Sequence, residues 1–254
     1  MKFDGSAVRK VAFGTISSRG ARNYQEDSFG FSPLDRESVG KSGFIAVVAD
    51  GMGGLSGGDR ISGYVVSSLI EMHKNRSADV PVHIYLSQAF RMINSGVLQS
   101  RIRGGSTAVA VMCLPIGIYW CTAGDSRIYL FRNGILTALN EDSDYMNRLM
   151  ERVISGKMPY REAADDPKKD SLAEYIGCKN GITPDGNKRP LIPQKNDKLL
   201  LCSDGVYNAL GMEELADSLK AGAKEAANII ENKVLSKGFA NQDNFTAVVL
   251  EFKR

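Results

Sequence analysis

Asp50, Asp204 and Asp243 are the residues whose type and setting could do chemistry. Phe44-Ile-Ala-Val-Val-Ala runs into Asp50-Gly51 and further glycines, Leu199-Leu-Leu-Cys-Ser runs into Asp204-Gly205, and Asp243-Asn244 precedes Phe245-Thr-Ala-Val-Val-Leu. A buried strand delivers a carboxylate to its tip, and the glycines let backbone come close to whatever that carboxylate holds. Three such tips, far apart in sequence, can meet at one edge of a core. That is how hard, oxygen-loving cations are held.

Carboxylates, backbone carbonyls and water suit Mg²⁺ or Mn²⁺, whereas Zn²⁺ calls for His or Cys. The chain has 2 histidines, His73 and His83. Both fall in expected helices away from the acids and read as surface residues. Carboxylates that share a pocket repel one another and stay ionised at neutral pH only when cations compensate them. Two divalent ions about 3.5–4 Å apart can share one carboxylate and one water, and together make that water a hydroxide. Asp50 is the natural bridging ligand, with the Gly51 carbonyl as its neighbour. A lone Asp-Gly after a strand is more often a turn, so the signal lies in the set.

The elements that must position these residues follow from periodicity. Strands are expected over 7–18, 28–32, 44–49 and 198–203, with a last one over 245–252. Between Ser106 and residue 139 lie four more, the last two joined by an Asn133-Gly134 hairpin signal. Residues 19–27 read as a loop, and PLDRESVGKSG (33–43) as a turn. Helical stripes place Ile61, Val65, Leu69 and Met72 on one face of 59–74, and Ile84, Ala89, Phe90, Ile93 and Val97 inward in 81–99, with Pro81 at its first turn. A second helix pair is expected at 212–220 and 223–235. Residues 140–190, rich in charge and methionine, form an insertion suited to a flap, with helices at 144–155 and near 169–176. Strands in groups and helices in pairs argue against a doubly wound parallel sheet and for packed sheets with helices outside.

With 254 residues, 43% of them hydrophobic, and no linker or repeat, the chain reads as a single domain, 1–254. Lys+Arg number 32 against 29 Asp+Glu, and they are scattered, so neither nucleic acid nor an anionic membrane is expected as partner. No apolar core suits a signal peptide and no run suits a membrane span. Cys113, Cys121, Cys178 and Cys202 form no CxxC pair and read as reduced, packed thiols, which points to the cytoplasm.

Taken in order, Arg22-Asn-Tyr-Gln-Glu26-Asp27-Ser-Phe, VVADGMGG (47–54), GGSTAVAV (104–111), TAGDSRIYLF (122–131), LLLCSDGVYNAL (199–210) and NQDNFTAVVL (241–250) resemble the metal-dependent Ser/Thr protein phosphatases, the protein phosphatase 2C-like or PPM family. The match is spread over residues 11 to 252, nearly the whole chain, and the DGMGG form resembles the bacterial branch. The resemblance implies an α+β fold: a four-layer α-β-β-α sandwich of two antiparallel sheets flanked by helix pairs, with a flap insertion. It implies that Asp50 bridges two ions, Mn²⁺ or Mg²⁺, that Asp204 and Asp243 complete one site, and that Glu26 and the Gly51 carbonyl belong to the other. Asp27 would hold metal-bound water, and Asp125 would help Asp204 bind a third, weaker ion.

Arg22 stands where the family has its phosphate-binding arginine, a role that suits a guanidinium fork. The implied reaction is in-line attack of a hydroxide bridging the two cations on phosphoserine or phosphothreonine of proteins, reversing a Ser/Thr kinase, with no phosphoenzyme. A monomer is expected. Met52 is a departure, because many eukaryotic members carry at that place a histidine proposed as the general acid, and Met has no proton to give.

Two other readings can be weighed. A catalytically dead scaffold usually lacks a metal aspartate, whereas Asp50, Asp204 and Asp243 are all present here. A two-metal nuclease or small-molecule phosphoesterase would explain the acids but not the Arg22 motif. The glycines of GGLSGGDR lack the Lys-Ser/Thr pair of a P-loop.

Overall fold

The computed structural model describes residues 10–32, 43–53, 57–77, 79–169 and 171–253. The start of the first expected strand (7–9), the turn expected over 33–42 and glycine-rich residues 54–56 lie outside them.

Two antiparallel sheets carry the chain. One has the order β1 (Lys10–Ser18), β11 (Phe245–Lys253), β10 (Lys198–Cys202), β7 (Arg127–Arg132), β8 (Ile135–Ala138). The other has β2 (Asp27–Phe31), β3 (Phe44–Met52), β5 (Ala108–Leu114), β6 (Gly117–Ala123), β9 (Asp185–Gly186), with β4 (Gly105–Ser106) paired to the end of β3. The helices α1 (Gly58–Lys74), α2 (Val82–Ser100), α6 (Met212–Ser218) and α7 (Ala223–Ser236) fall where the apolar periodicity places them. A short helix, α5 (Asp204–Tyr207), follows β10 directly.

Near-continuous apolar strands are explained by burial on both faces. Phe44, Ala46 and Val48 of β3 join Leu199, Leu201, Val248 and Leu250 in a cluster between the sheets. Ile45, Val47 and Ala49 face the other way, onto Ile61, Val65, Leu86 and Phe90 of α1 and α2. In the same alternation Leu200, Cys202, Ala247 and Val249 pack on Leu215, Ala227 and Ile230 of α6 and α7. The sheets are thus the middle of the molecule and the helices its outer sides. No helix among the described residues is long and apolar enough to cross a membrane.

Three expectations are corrected. Ile84 is 42% exposed, and Leu86 takes the inward position instead. His73 is buried, its Nε2 lying 3.4 Å from the Gly43 carbonyl, and burial lowers its pKa. In the insertion, α3 (Tyr145–Ile154) lies as expected, but the second helix is α4 (Tyr160–Ala164), not 169–176. Residues 171–176 are drawn out by backbone bonds to other segments, Ala173 N to Ser143 O at 2.7 Å and Ile176 N to Ser106 O at 2.8 Å. Leu149, Met158 and Ala163 give α3 and α4 a small apolar cluster of their own.

Candidate metal centre

The acids converge because strand ends from both sheets come together at one rim. Asp27 and Asp50 stand directly opposite each other in the β2–β3 register. Asp50 is pinned by Thr107, whose Oγ1 accepts from Asp50 N at 3.0 Å and whose N donates to Asp50 O at 2.8 Å. From the other sheet, β10 leads through Ser203 into Asp204 as β11 begins after Asp243 and Asn244.

Glycines let these ends approach. A Cβ on Gly51 would lie 2.2 Å from Gly58 O and 2.6 Å from Glu26 O, and one on Gly205 would lie 2.0 Å from Asn244 O. Such distances are far inside van der Waals contact, so both Asp-Gly pairs are packing requirements rather than turns.

Electrostatics show how close the carboxyls are. The Asp50 carboxyl is pushed far up from its ordinary value, first by burial and then by Asp27, Asp204, Asp125 and Asp243. Burial also raises Asp27, against hydrogen bonds from Ser203 and Thr246, with Asp204 and Asp243 adding to the rise. Asp125 is raised to about 6 by burial and then Asp204. Burial and Asp243 raise Asp204, opposed by a hydrogen bond with Asp50 and by the Arg22 charge. Arg22 itself donates through Nη2 to Asp243 Oδ2 at 2.7 Å. Asp27, Asp125, Asp204 and Asp243 therefore stand with Asp50 at this rim; the Glu26 carboxylate lies against Gly58, and its backbone carbonyl accepts from Gly51 N at 3.1 Å.

No protein-family model matches the chain. It is 29% identical over 242 residues to the serine/threonine phosphatase stp of Listeria welshimeri serovar 6b, which covers 91% of both chains. Among solved structures, PppA, a key regulatory component of T6SS in Pseudomonas aeruginosa, matches with a TM-score of 0.73 at 25% identity, over 97% of this chain and 100% of that one. The catalytic domain of the serine/threonine protein phosphatase PstP in complex with 2 manganese ions matches with a TM-score of 0.74 at 24% identity, over 96% and 99%. The chain is similar over nearly its whole length to bacterial PPM-type Ser/Thr protein phosphatases.

Phosphatases of this family depend on metal ions, and the residues here fit that need. The donor set is all oxygen, which suits Mg²⁺ or Mn²⁺. Asp27 Oδ2 accepts from Ser203 Oγ at 2.7 Å, while its Oδ1 is buried without a hydrogen-bond partner. A buried carboxylate oxygen so placed is costly unless a cation or proton meets it. Among the described residues no three His, Cys, Asp or Glu side chains already enclose a single point.

Sequence reasoning passed over the residues that hold the phosphatase's acids in place. Asn244 Nδ2 donates to Arg19 O at 2.8 Å and Tyr24 O at 2.9 Å, and its Oδ1 accepts from Glu26 N at 2.8 Å. One side chain thus fixes the loop that carries Arg22 and Glu26. Ser203 links Asp27 to β11, its Oγ accepting from Thr246 N at 3.0 Å. Beside Asp125, the Tyr207 hydroxyl donates to its carbonyl at 3.0 Å, and the Arg127 guanidinium stacks 3.7 Å from the Tyr207 ring while gripping Asp142. The only signal for these was adjacency to an acid.

Proposed function

We propose that this phosphatase hydrolyses phosphoserine and phosphothreonine on proteins, reversing a Ser/Thr kinase, with two divalent cations, Mn²⁺ or Mg²⁺, at the rim of carboxylates. The convergence of Asp27, Asp125, Asp204 and Asp243 on the buried Asp50 carries this reading. Asp50 would bridge the ions, Asp204 and Asp243 would complete one site, and Glu26 with the Gly51 carbonyl would serve the other. Asp27 would orient water beside them, and Asp125 with Asp204 would take a weaker third ion. When bound, the cations supply Lewis acidity that activates the attacking water and offsets charge on the phosphoryl oxygens.

Arg22 is the group that would grip the substrate's phosphate. Its side chain is 58% exposed, so the guanidinium can turn from Asp243 to a phosphoryl group and form a two-pronged contact. No side-chain nucleophile is needed. Cys202, two residues before Asp204, is fully buried, and burial drives its thiol pKa far up, away from the reactive thiolate. Residues of about 140–190 would act as a flap on a single catalytic domain, a reading supported by the separate cluster of α3 and α4. The cytoplasm and a cognate kinase belong to the same reading.

The deciding experiment is hydrolysis of p-nitrophenyl phosphate and of a phosphothreonine peptide with Mn²⁺, with Mg²⁺ and after EDTA. Turnover of both that requires the cation and vanishes on chelation is the expected result. Aryl-phosphate activity alone would tie the missing proton donor at Met52 to a need for good leaving groups. Absence of any turnover despite tight metal binding would overturn the reading in favour of a phosphoprotein-binding scaffold.

A further inference from the structure

At the opposite end of the β10 sheet from Asp204 lies a cavity of ≈ 440 Å³ whose floor is Lys198. Six residues of roughly 3.3 Å each separate the two positions, so the cavity is about 20 Å from the acids. Lys198 points to the helix side of the sheet and sits between its register partners, Phe131 on β7 and Glu251 on β11. It is only 5% exposed, and its Nζ lies 5.5 Å from the centre of the Phe131 ring. Among the described residues its ammonium makes no hydrogen bond or ion pair.

Although the residue as a whole is nearly covered, its Nζ is not sealed in the interior but opens onto the cavity, where solvent or an anion can meet it. The acids in the same wall are already engaged. Asp197 accepts from Arg132 Nε at 2.9 Å and Nη2 at 2.6 Å, and also from Gln194 N at 2.6 Å. Glu251 Oε2 accepts from Ala223 N at 3.1 Å and pairs with Lys253 Nζ at 3.1 Å. Burial lowers the Lys198 pKa, Glu251 raises it, and Lys253 lowers it further. At the mouth stand Lys195 and Lys220, both exposed, the latter paired with Asp217 at 2.6 Å. The wall therefore has each acid matched to its own cation and one inner cation left over.

We propose that this cavity is a binding site for a phosphate group, free or carried on a small molecule, with Lys198 at its floor and Lys195 and Lys220 at its mouth. Lysine meets phosphate as a point charge, and more than one ammonium suits a dianion better than a carboxylate. The volume accommodates phosphate together with a small organic body.

The test is an amide-resolved NMR titration of the Mg²⁺-loaded full chain with inorganic phosphate, with phenylphosphonate as a non-hydrolysable monoester analogue, and with acetate. Saturable shifts are expected at Asn133, Gly134, Asn196 and Lys198. Lys198→Met, of similar length and apolar beside Phe131, should weaken binding at those amides about tenfold or more. Shifts at residues 20–23, beside the acids, should persist in that variant, which separates this site from the catalytic one. Lys198→Arg should retain binding. Response to inorganic phosphate alone would identify free phosphate as the ligand, and response to both would identify the monoester class. Absence of saturable shifts at these amides, equal response to acetate, or shifts unchanged by Lys198→Met would overturn the proposal. So would a lower melting temperature of Lys198→Met without anion if the wild type shows no anion effect, because Lys198 would then be structural only.

Discussion

Arg22 Nη2 and Asp243 Oδ2 meet at 2.7 Å, across 221 residues of sequence, at the edge of the acid rim. Both side chains are well exposed, at 58% and 40%. Ion pairs so accessible to water contribute at most about 1 kcal/mol. The pairing therefore parks the guanidinium at the reaction site without committing it, and a phosphoryl group can replace the carboxylate as its partner.

Removing that guanidinium should hurt substrate binding and spare the metals. For Arg22→Ala, kcat/KM is expected to fall about 10- to 100-fold, the worth of a charge-assisted contact, with most of the change in KM. Metal affinity should stay the same or rise slightly, since Asp243 is released to ligate. Steady-state kinetics together with calorimetric Mn²⁺ titration check both halves. Loss of metal binding in the variant would show that Arg22 orders the site rather than the substrate.

Asp204→Ala should separate catalysis from folding. Turnover is expected to fall at least about a thousandfold, because a ligand is lost where charge must be offset. The metal-stripped variant should melt at the same temperature as the wild type or higher, because one of several mutually repelling, desolvated carboxylates is gone. Activity assays and thermal melts in EDTA are sufficient. A variant that kept most of its kcat would remove Asp204 from the metal site.

Asp50, Asp204 and Asp243 were legible because an apolar strand ending in an acid is a local pattern, and the glycines after Asp50 and Asp204 are required by close backbone approach. Strand alternation and the two helix pairs, α1 with α2 and α6 with α7, were legible for the same reason: burial on two faces or on one stripe leaves a period in the sequence. Asn244 was not legible. Its role consists of three hydrogen bonds, two of them to carbonyls more than 200 residues away, and such bonds leave no periodicity. Residues 171–176 were misread because their helical composition is overruled by backbone partners at Ser143 and Ser106. His73 was misread because one polar residue on an amphipathic helix does not show which side of the stripe it borders.

Asn244→Ala should loosen the loop that carries Arg22 and Glu26. Three hydrogen bonds are lost and their partners are left unmatched, at a cost of about 3 kcal/mol in stability. Urea unfolding in EDTA measures that cost. Mn²⁺ affinity should drop as well, because Glu26 loses the bond that fixes its backbone. A stability loss with metal affinity and kcat/KM unchanged would reduce Asn244 to a structural residue remote from the chemistry.

The acid rim should also set how stability depends on pH once metal is removed. Burial holds Asp27 and Asp125 at about 6, and neighbouring carboxylates add to the rise. In the unfolded chain the same groups give up their protons near pH 4. Between those values the folded state binds more protons than the unfolded one, so stability falls as pH rises. The contribution is complete below pH about 4 and is lost through pH about 6, while Asp50, raised further, extends the decline upward. In EDTA the melting temperature is expected to drop from pH 4 to pH 7. Saturating Mn²⁺ should flatten or reverse that slope, because cations take the place of protons on the same oxygens. Asp125→Asn should shrink the drop in EDTA. Parallel slopes with and without Mn²⁺ would mean that these carboxylates are not the ones the metal neutralises.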